Sequence, residues 1–251
     1  YVSDFLKSTL RDHSLPVVNT EISQKMKLLP GTILLSEAEA IQLAEKNESL
    51  RIYTTSENSI GWIAQHFSFL ELPEKIELFK NKAKFRQMIQ SLYPDFYFRE
   101  VQVRELNTIP VEEIPLPFVI KPTTGFFSLG VHVVNNQKEW IETINTIRSE
   151  IDQITGMYPD EVLNVRSFII EQSIDGDEFA VDAYFNDAGD PVILNILHHT
   201  FSSDSDVSDR VYTTSKEIVE ANLQEFTAFL DKIGKRAGIR NFPVHVELRR
   251  S

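Results

Sequence analysis

The chain has 251 residues, 42% of them hydrophobic and 25% charged, and contains no cysteine. This is the composition of a folded globular protein, and the missing thiols exclude a cysteine nucleophile, a thiolate metal site and a disulfide framework while fitting a reducing cytoplasm. Lys and Arg total 25 against 37 Asp and Glu, a formal charge of −12 that argues against nucleic acid as a partner, and no apolar run or leader pattern points to a membrane.

The chain opens with Tyr1 rather than Met, which reads as a segment of a longer protein, and passes directly into an amphipathic stretch, Val2 to His13. Leu15 to Val18 and Arg51 to Thr54 read as short strands. Between them Ser36 to Asn47 reads as a helix that opens with a Ser36/Glu39 capping box. Alternating strand and helix suggests a small α/β layer. Helical stretches are expected around Lys75 to Tyr93, then an extended segment, Phe96 to Val103. A connector follows through Pro110, Pro115 and Pro117 and reads as a domain seam.

From Pro117 onward strands dominate: Phe118 to Lys121, Val131 to Val134, Val165 to Glu171, Glu178 to Phe185, Pro191 to Phe201 and Phe242 to Arg249. Two long helices interrupt them, near Lys138 to Gln153 and Ser215 to Lys235. The second puts Ile218, Asn222, Phe226, Phe229, Leu230 and Ile233 on roughly one face.

Three segments carry chemistry. Gly is scarce, 9 residues in all, yet two bracket the hydroxyl-rich turn from Lys121 to Gly130. Glycine lets backbone N–H groups approach an anion, Ser128 adds a donor, and Lys121 at a strand end adds a fixed positive charge. Such a turn is either a phosphate lid or an ordinary hairpin loop. The second segment, Phe168 to Asp182, runs from an apolar strand through a short connector into another strand. Backbone groups there can bond a purine edge and Glu178 can accept from ribose hydroxyls, or Asp175-Gly176 is simply a turn among solvated acids. In the third, Phe242 to Arg249, period-two alternation sets Val244, Val246 and Leu248 on one face and His245, Glu247 and Arg249 on the other. Glu247 then suits Mg²⁺, or forms part of a surface ion pair. His198 and His199, adjacent on a strand, point to opposite faces and make a poor shared metal site.

Taken together and in this order, the three segments resemble the ATP-grasp superfamily, most closely its carboxylate–amine or carboxylate–thiol ligases. The motifs quoted are a lysine in Lys80-Asn81-Lys82-Ala83-Lys84-Phe85-Arg86, a second at Lys121 before Gly125, Ser128 and Gly130, then Glu171, Ile174 and Glu178, and last Glu247. The resemblance implies an α/β (α+β clamp) fold class: a small N-terminal α/β domain over 1–74, a lid subdomain with linking helices over 75–172, and an incomplete C-terminal subdomain over 173–251. It assigns Lys82, Lys121, Gly125, Ser128, Gly130, Glu171, Gln172, Ile174 and Glu178 to ATP, and Glu247 to Mg²⁺ or Mn²⁺. Lys121, Arg210 and Arg249 become the catalytic candidates, with Arg210 suited to a substrate carboxylate.

The implied reaction activates a small carboxylate, such as an amino acid, as an acyl phosphate and joins it to an amine, both small-molecule partners. A kinase of the same fold and a non-catalytic nucleotide-binding module are the alternatives. Members of the superfamily carry a second metal-binding Glu and an Asn on a strand after the first Glu. The sequence ends at Ser251 before any such pair, so C-terminal truncation is expected.

Overall fold

The computed structural model describes residues 2–47, 50–54, 58–125, 130–154, 164–201 and 211–250. The chain divides into two compact units, Tyr1–Pro73 and Glu74–Ser251.

The first unit contains α1 (Asp4–Asp12), β1 (Val17–Val18), α2 (Glu21–Lys25), β2 (Leu34–Leu35), α3 (Glu37–Glu45) and α4 (Asn58–His66). β1 and β2 pair in parallel, which requires a crossover, and α2 lies within it. The expected capping box is present: Ser36 accepts from the Glu39 backbone N–H, and the Glu39 carboxylate accepts from that of Ser36. Residues 51–54, expected as a strand, run irregularly. Strand propensity is realised only where a neighbouring strand takes the backbone bonds, and no described strand pairs with this segment.

In the second unit the helical stretch is two helices, α5 (Leu72–Lys80) and α6 (Lys82–Ile89). Asn81 makes the break. Its backbone is extended and its side chain accepts from the N–H groups of Ala83 and Lys84, which starts α6 at Lys82. Then follow β3 (Phe98–Gln102), β4 (Phe118–Thr124), β5 (His132–Val134), α7 (Gln137–Ile154) and β6 (Asn164–Gln172). These strands form an antiparallel sheet in the order β3-β6-β4-β5. Phe118, Ile120, Phe168 and Ile170 project from one face into a core with Trp140, Ile144 and Ile147 of α7. The Pro-rich connector is no seam: Leu106, Ile109, Val111 and Ile114 are buried in that same core. Proline shapes the path there, while the apolar residues between prolines decide that the segment packs inward.

The second sheet is built from β7 (Asp177–Phe185), β8 (Pro191–His199), β9 (Tyr212–Thr213) and β10 (Phe242–Arg250), in the order β10-β7-β8-β9, again antiparallel. It is covered by α8 (Lys216–Ala237), whose Phe226, Leu230 and Ile233 are buried. The Phe179 and Phe226 rings meet edge to face at 5.4 Å.

At Gly234 the helix α8 leaves no room for a side chain against the sheet. A Cβ there would overlap the ring of Phe185, itself fully buried. Gly234→Ala is therefore expected to destabilise the protein by about 1–3 kcal/mol through overpacking, outweighing the ~1 kcal/mol of helix propensity that alanine brings. Urea midpoints will read this, with Phe185→Leu restoring part of the loss in the double variant. A more stable single variant would contradict the contact.

Candidate functional site

In a strand alternate residues face opposite ways, so with Ile120 and Ile170 in the α7 core, Lys121 and Glu171 stand on the other face of the first sheet. Their registers put them on neighbouring strands, and the Lys121 Nζ lies 2.7 Å from Glu171 Oε1. The second oxygen of Glu171 accepts from Arg86 Nε at 2.6 Å. Arg86 lies one helical turn beyond Lys82 on α6, and its guanidinium also covers the Phe96 ring, 4.3 Å from the centroid.

The Glu171 side chain is only 4% exposed. Burial alone pushes its carboxyl pKa up, but Lys121 and Arg86 together outweigh burial and hold it below the usual value. Glu171 is thus ionised and shared by two cations.

Lys82, the first residue of α6, donates to the carbonyl of Gly125 at 3.3 Å, just past the end of β4. Its pKa is lowered to about 8, first by burial and next by repulsion from Lys121, with a smaller contribution from Lys80; Glu247 and Glu171 act in the opposite direction. Lys82 therefore feels lysine and glutamate from the first sheet and a glutamate from the second. At Gly130 the backbone has φ +70°, and a Cβ would crowd Pro122 Cγ at 3.1 Å. Only glycine suits both the backbone conformation and the space at that return of the chain.

On the second sheet Glu178, Arg249 and His199 form one row across three strands. The Glu178 carboxylate takes Arg249 Nε at 2.8 Å on one oxygen and meets His199 Nδ1 at 2.7 Å on the other. Arg249 also donates to the Ile174 carbonyl at 3.0 Å, fastening the connector between β6 and β7. Gln172 is held at the far side of that connector, its side-chain oxygen accepting from the Tyr97 backbone at 2.7 Å. Glu247 lies exposed on β10, and its neighbours Val246 and Leu248 turn inward as the alternation predicts.

His198 and His199 face opposite ways. His198 packs on Phe179, whereas His199 stacks on Tyr212 and supports Glu178.

Among the candidates named from sequence, Lys82, Lys121, Gly125 and Glu171 form one cluster, with Glu247 near enough to act on Lys82. Ile174, Glu178 and Arg249 form a second. Ser128 and Arg210 lie outside the described residues.

Arg86 was not singled out from sequence. The signal was its i, i+4 spacing from Lys82, which puts both cations on one helix face. From sequence His199 is a poor shared metal ligand with His198, and its place beside Glu178 depends on register across β7 and β8.

Among the described residues no three His, Asp or Glu side chains form a metal cage. Mg²⁺ needs none where a nucleotide is present, because it keeps several waters and takes phosphate oxygens beside one or two carboxylates. The exposed carboxylate of Glu247, close enough to act on the charge of Lys82, fits that chemistry.

Two antiparallel sheets, each backed by a long helix, and the lysines gathered beside the first sheet are the features of a nucleotide-grasping fold. A family model described as the ATP-grasp domain matches residues 114–251, more than half of the chain, and the chain belongs to that family.

Among solved structures it is similar to an L-amino acid ligase from Bacillus licheniformis, at 23% identity and a TM-score of 0.56 over 88% of this chain and 54% of the other. A biotin carboxylase from Campylobacter jejuni has 14% identity and a TM-score of 0.62 over 96% of this chain and 58% of its own. A D-alanine–D-alanine ligase from Bacillus anthracis has 15% identity and a TM-score of 0.53 over the whole of this chain and 80% of its own. At these identities the likeness shows the fold. The chain spans little more than half the length of the first two. No curated protein matches it by sequence.

Proposed function

We propose that the protein is an ATP- and Mg²⁺-dependent ligase that activates a small carboxylate as an acyl phosphate and joins it to an amine. The observation that carries this reading is Lys82 bonded to the Gly125 carbonyl at the end of the strand that bears Lys121, with Glu247 of the other sheet close enough to act on its charge. Two cations opposite an exposed carboxylate suit a triphosphate and its metal. Family membership supports nucleotide use, and the ligases of similar fold support the class of reaction.

On this reading residues 1–74 are the preceding domain, 75–172 the lid subdomain with its linking helices and 173–251 the C-terminal subdomain. Lys82 and Lys121 neutralise phosphate charge. Gly125, Ser128 and Gly130 would supply backbone and hydroxyl donors to the phosphates. Glu171, Gln172, Ile174 and Glu178 frame the adenosine, with Glu178 accepting from ribose hydroxyls. Its two oxygens each retain lone-pair capacity beside Arg249 and His199. Arg249 acts by holding Glu178 and the Ile174 carbonyl, and Arg210 holds the substrate carboxylate.

Glu247 would hold Mg²⁺ or Mn²⁺, which supplies charge neutralisation at the β- and γ-phosphates when bound. The protein's part is positioning and electrostatics: the carboxylate is lined up with the γ-phosphate, and the amine then attacks the acyl carbon. Small-molecule acids and amines in the cytoplasm are the expected partners.

The test uses the full-length protein with MgATP and pairs of L-amino acids. ADP and phosphate should appear in step with amide, and only when both acid and amine are present. Phosphorylated product without amine dependence would mean a kinase. Nucleotide binding with no turnover under any acid and amine would mean a binding module. MgATP at 100 times its Kd should also stabilise this chain by about 2.7 kcal/mol, and an unmoved melting curve at millimolar nucleotide would sink the nucleotide site itself.

A further inference from the structure

Glu171 presents a difficulty for any role of Lys121 at phosphates. The lysine is already in a 2.7 Å ion pair with a carboxylate that is only 4% exposed. When nucleotide draws Lys121 away, a buried negative charge loses a partner, and an uncompensated buried carboxylate costs several kcal/mol. A binding site arranged this way would resist its own ligand unless a second cation stayed behind.

Arg86 is that cation by position. It occupies the other oxygen of Glu171 at 2.6 Å, so it does not compete with Lys121 for the same lone pairs. It comes from a different element, α6, and is braced against Phe96. Its planar guanidinium holds direction as well as charge. Nothing in this arrangement requires Arg86 to touch nucleotide.

We infer that Arg86 is a positioning residue for nucleotide binding: it retains Glu171 so that Lys121 can exchange the carboxylate for a phosphate oxygen. The inference rests on the proposed role of Lys121 and deepens it. Without Arg86, Glu171 keeps only Lys121 among the described residues and binding must break that pair. Without Glu171, Lys121 is free and Arg86 is no longer needed.

The two residues are therefore coupled in nucleotide affinity, in a direction that simple packing does not produce. The test is a double-mutant cycle read as the Kd for ATP by calorimetry on the full-length protein. Arg86→Met is expected to weaken ATP about tenfold, the size of a typical coupling between contacting charges. In the Glu171→Gln background the same substitution should change Kd less than about twofold, well below that coupling. Arg86→Lys, which keeps the charge, should recover most of the affinity.

An equal loss in both backgrounds, or no loss in either, overturns the inference. Thermal melts of the nucleotide-free variants separate unfolding from binding, and Arg86→Gln, which removes the charge while keeping a polar side chain, replaces Arg86→Met if the latter does not fold. Lys121→Met is the control for the underlying reading: wild-type affinity in that variant removes Lys121 from the phosphates, a different result from an uncoupled Arg86.

Discussion

Lys121→Met is expected to lower ATP affinity about a hundredfold, the loss of one or two charge-assisted hydrogen bonds to phosphate at about 1.5–3 kcal/mol each. The change also carries a stability cost, because Glu171 loses the partner of one of its two oxygens.

Removing one partner of a buried pair costs about 3–5 kcal/mol when the remaining charge is left alone. Here Arg86 remains and Lys121 is itself 25% exposed, so a loss of about 1–2 kcal/mol is expected instead. A drop in affinity measured on Lys121→Met alone therefore mixes two effects. Lys121→Met/Glu171→Gln separates them: stability should return toward wild type while affinity stays low. Calorimetric titration with ATP and a urea melt of the same sample give both numbers. Wild-type affinity in the double variant would remove Lys121 from the site.

Lys121, Glu171 and Lys82 are each visible in the sequence as a charged residue beside an apolar run or within a helical one. The sheet pairing that joins Lys121 to Glu171 is a matter of register between β4 and β6, which are separated in the chain by β5 and α7, and no local pattern encodes it. Arg86 shows the intermediate case. Its spacing from Lys82 is legible, but its partner is not, because that depends on how α6 rests against the sheet.

The same division holds in the fold. The Ser36 capping box, the alternation in β10 and the apolar face of α8 are local periodicities, and all are present as read. Residues 51–54 and the Pro-rich connector depart from their local patterns for one reason. Whether a short β-prone run finds a partner edge, or a proline-spaced apolar segment finds a core, is decided by residues far away in the chain.

Lys82 yields the second large effect, and here stability and binding move in opposite directions. Its folded pKa of about 8 lies below the ordinary 10.5. Below pH 8 the lysine is charged in both folded and unfolded states, and the full cost of holding that charge against burial and Lys121 is present. Between 8 and 10.5 the unfolded chain binds more protons than the folded one, so stability rises with pH across that window. One pKa unit is about 1.4 kcal/mol, and Lys82 remains partly accessible, so the cost at pH 7 is about 2–3 kcal/mol.

Lys82→Met should remove that cost. The nucleotide-free variant is expected to be more stable than wild type at pH 7 and to lack the wild-type rise toward pH 9, with the difference between the two proteins isolating Lys82 from other titrating groups. Binding has the reverse sign. Phosphate favours the charged lysine and raises its pKa, so ATP binding takes up protons near and above pH 8, and wild-type affinity falls as pH rises through that value. Calorimetry in two buffers of different ionisation heat reads the proton uptake directly. The variant should bind ATP more weakly at pH 7 and show no uptake from this site. A Lys82→Met protein that is less stable at pH 7, with an unchanged slope toward pH 9, would mean that the lysine stabilises the fold rather than being held there at its expense.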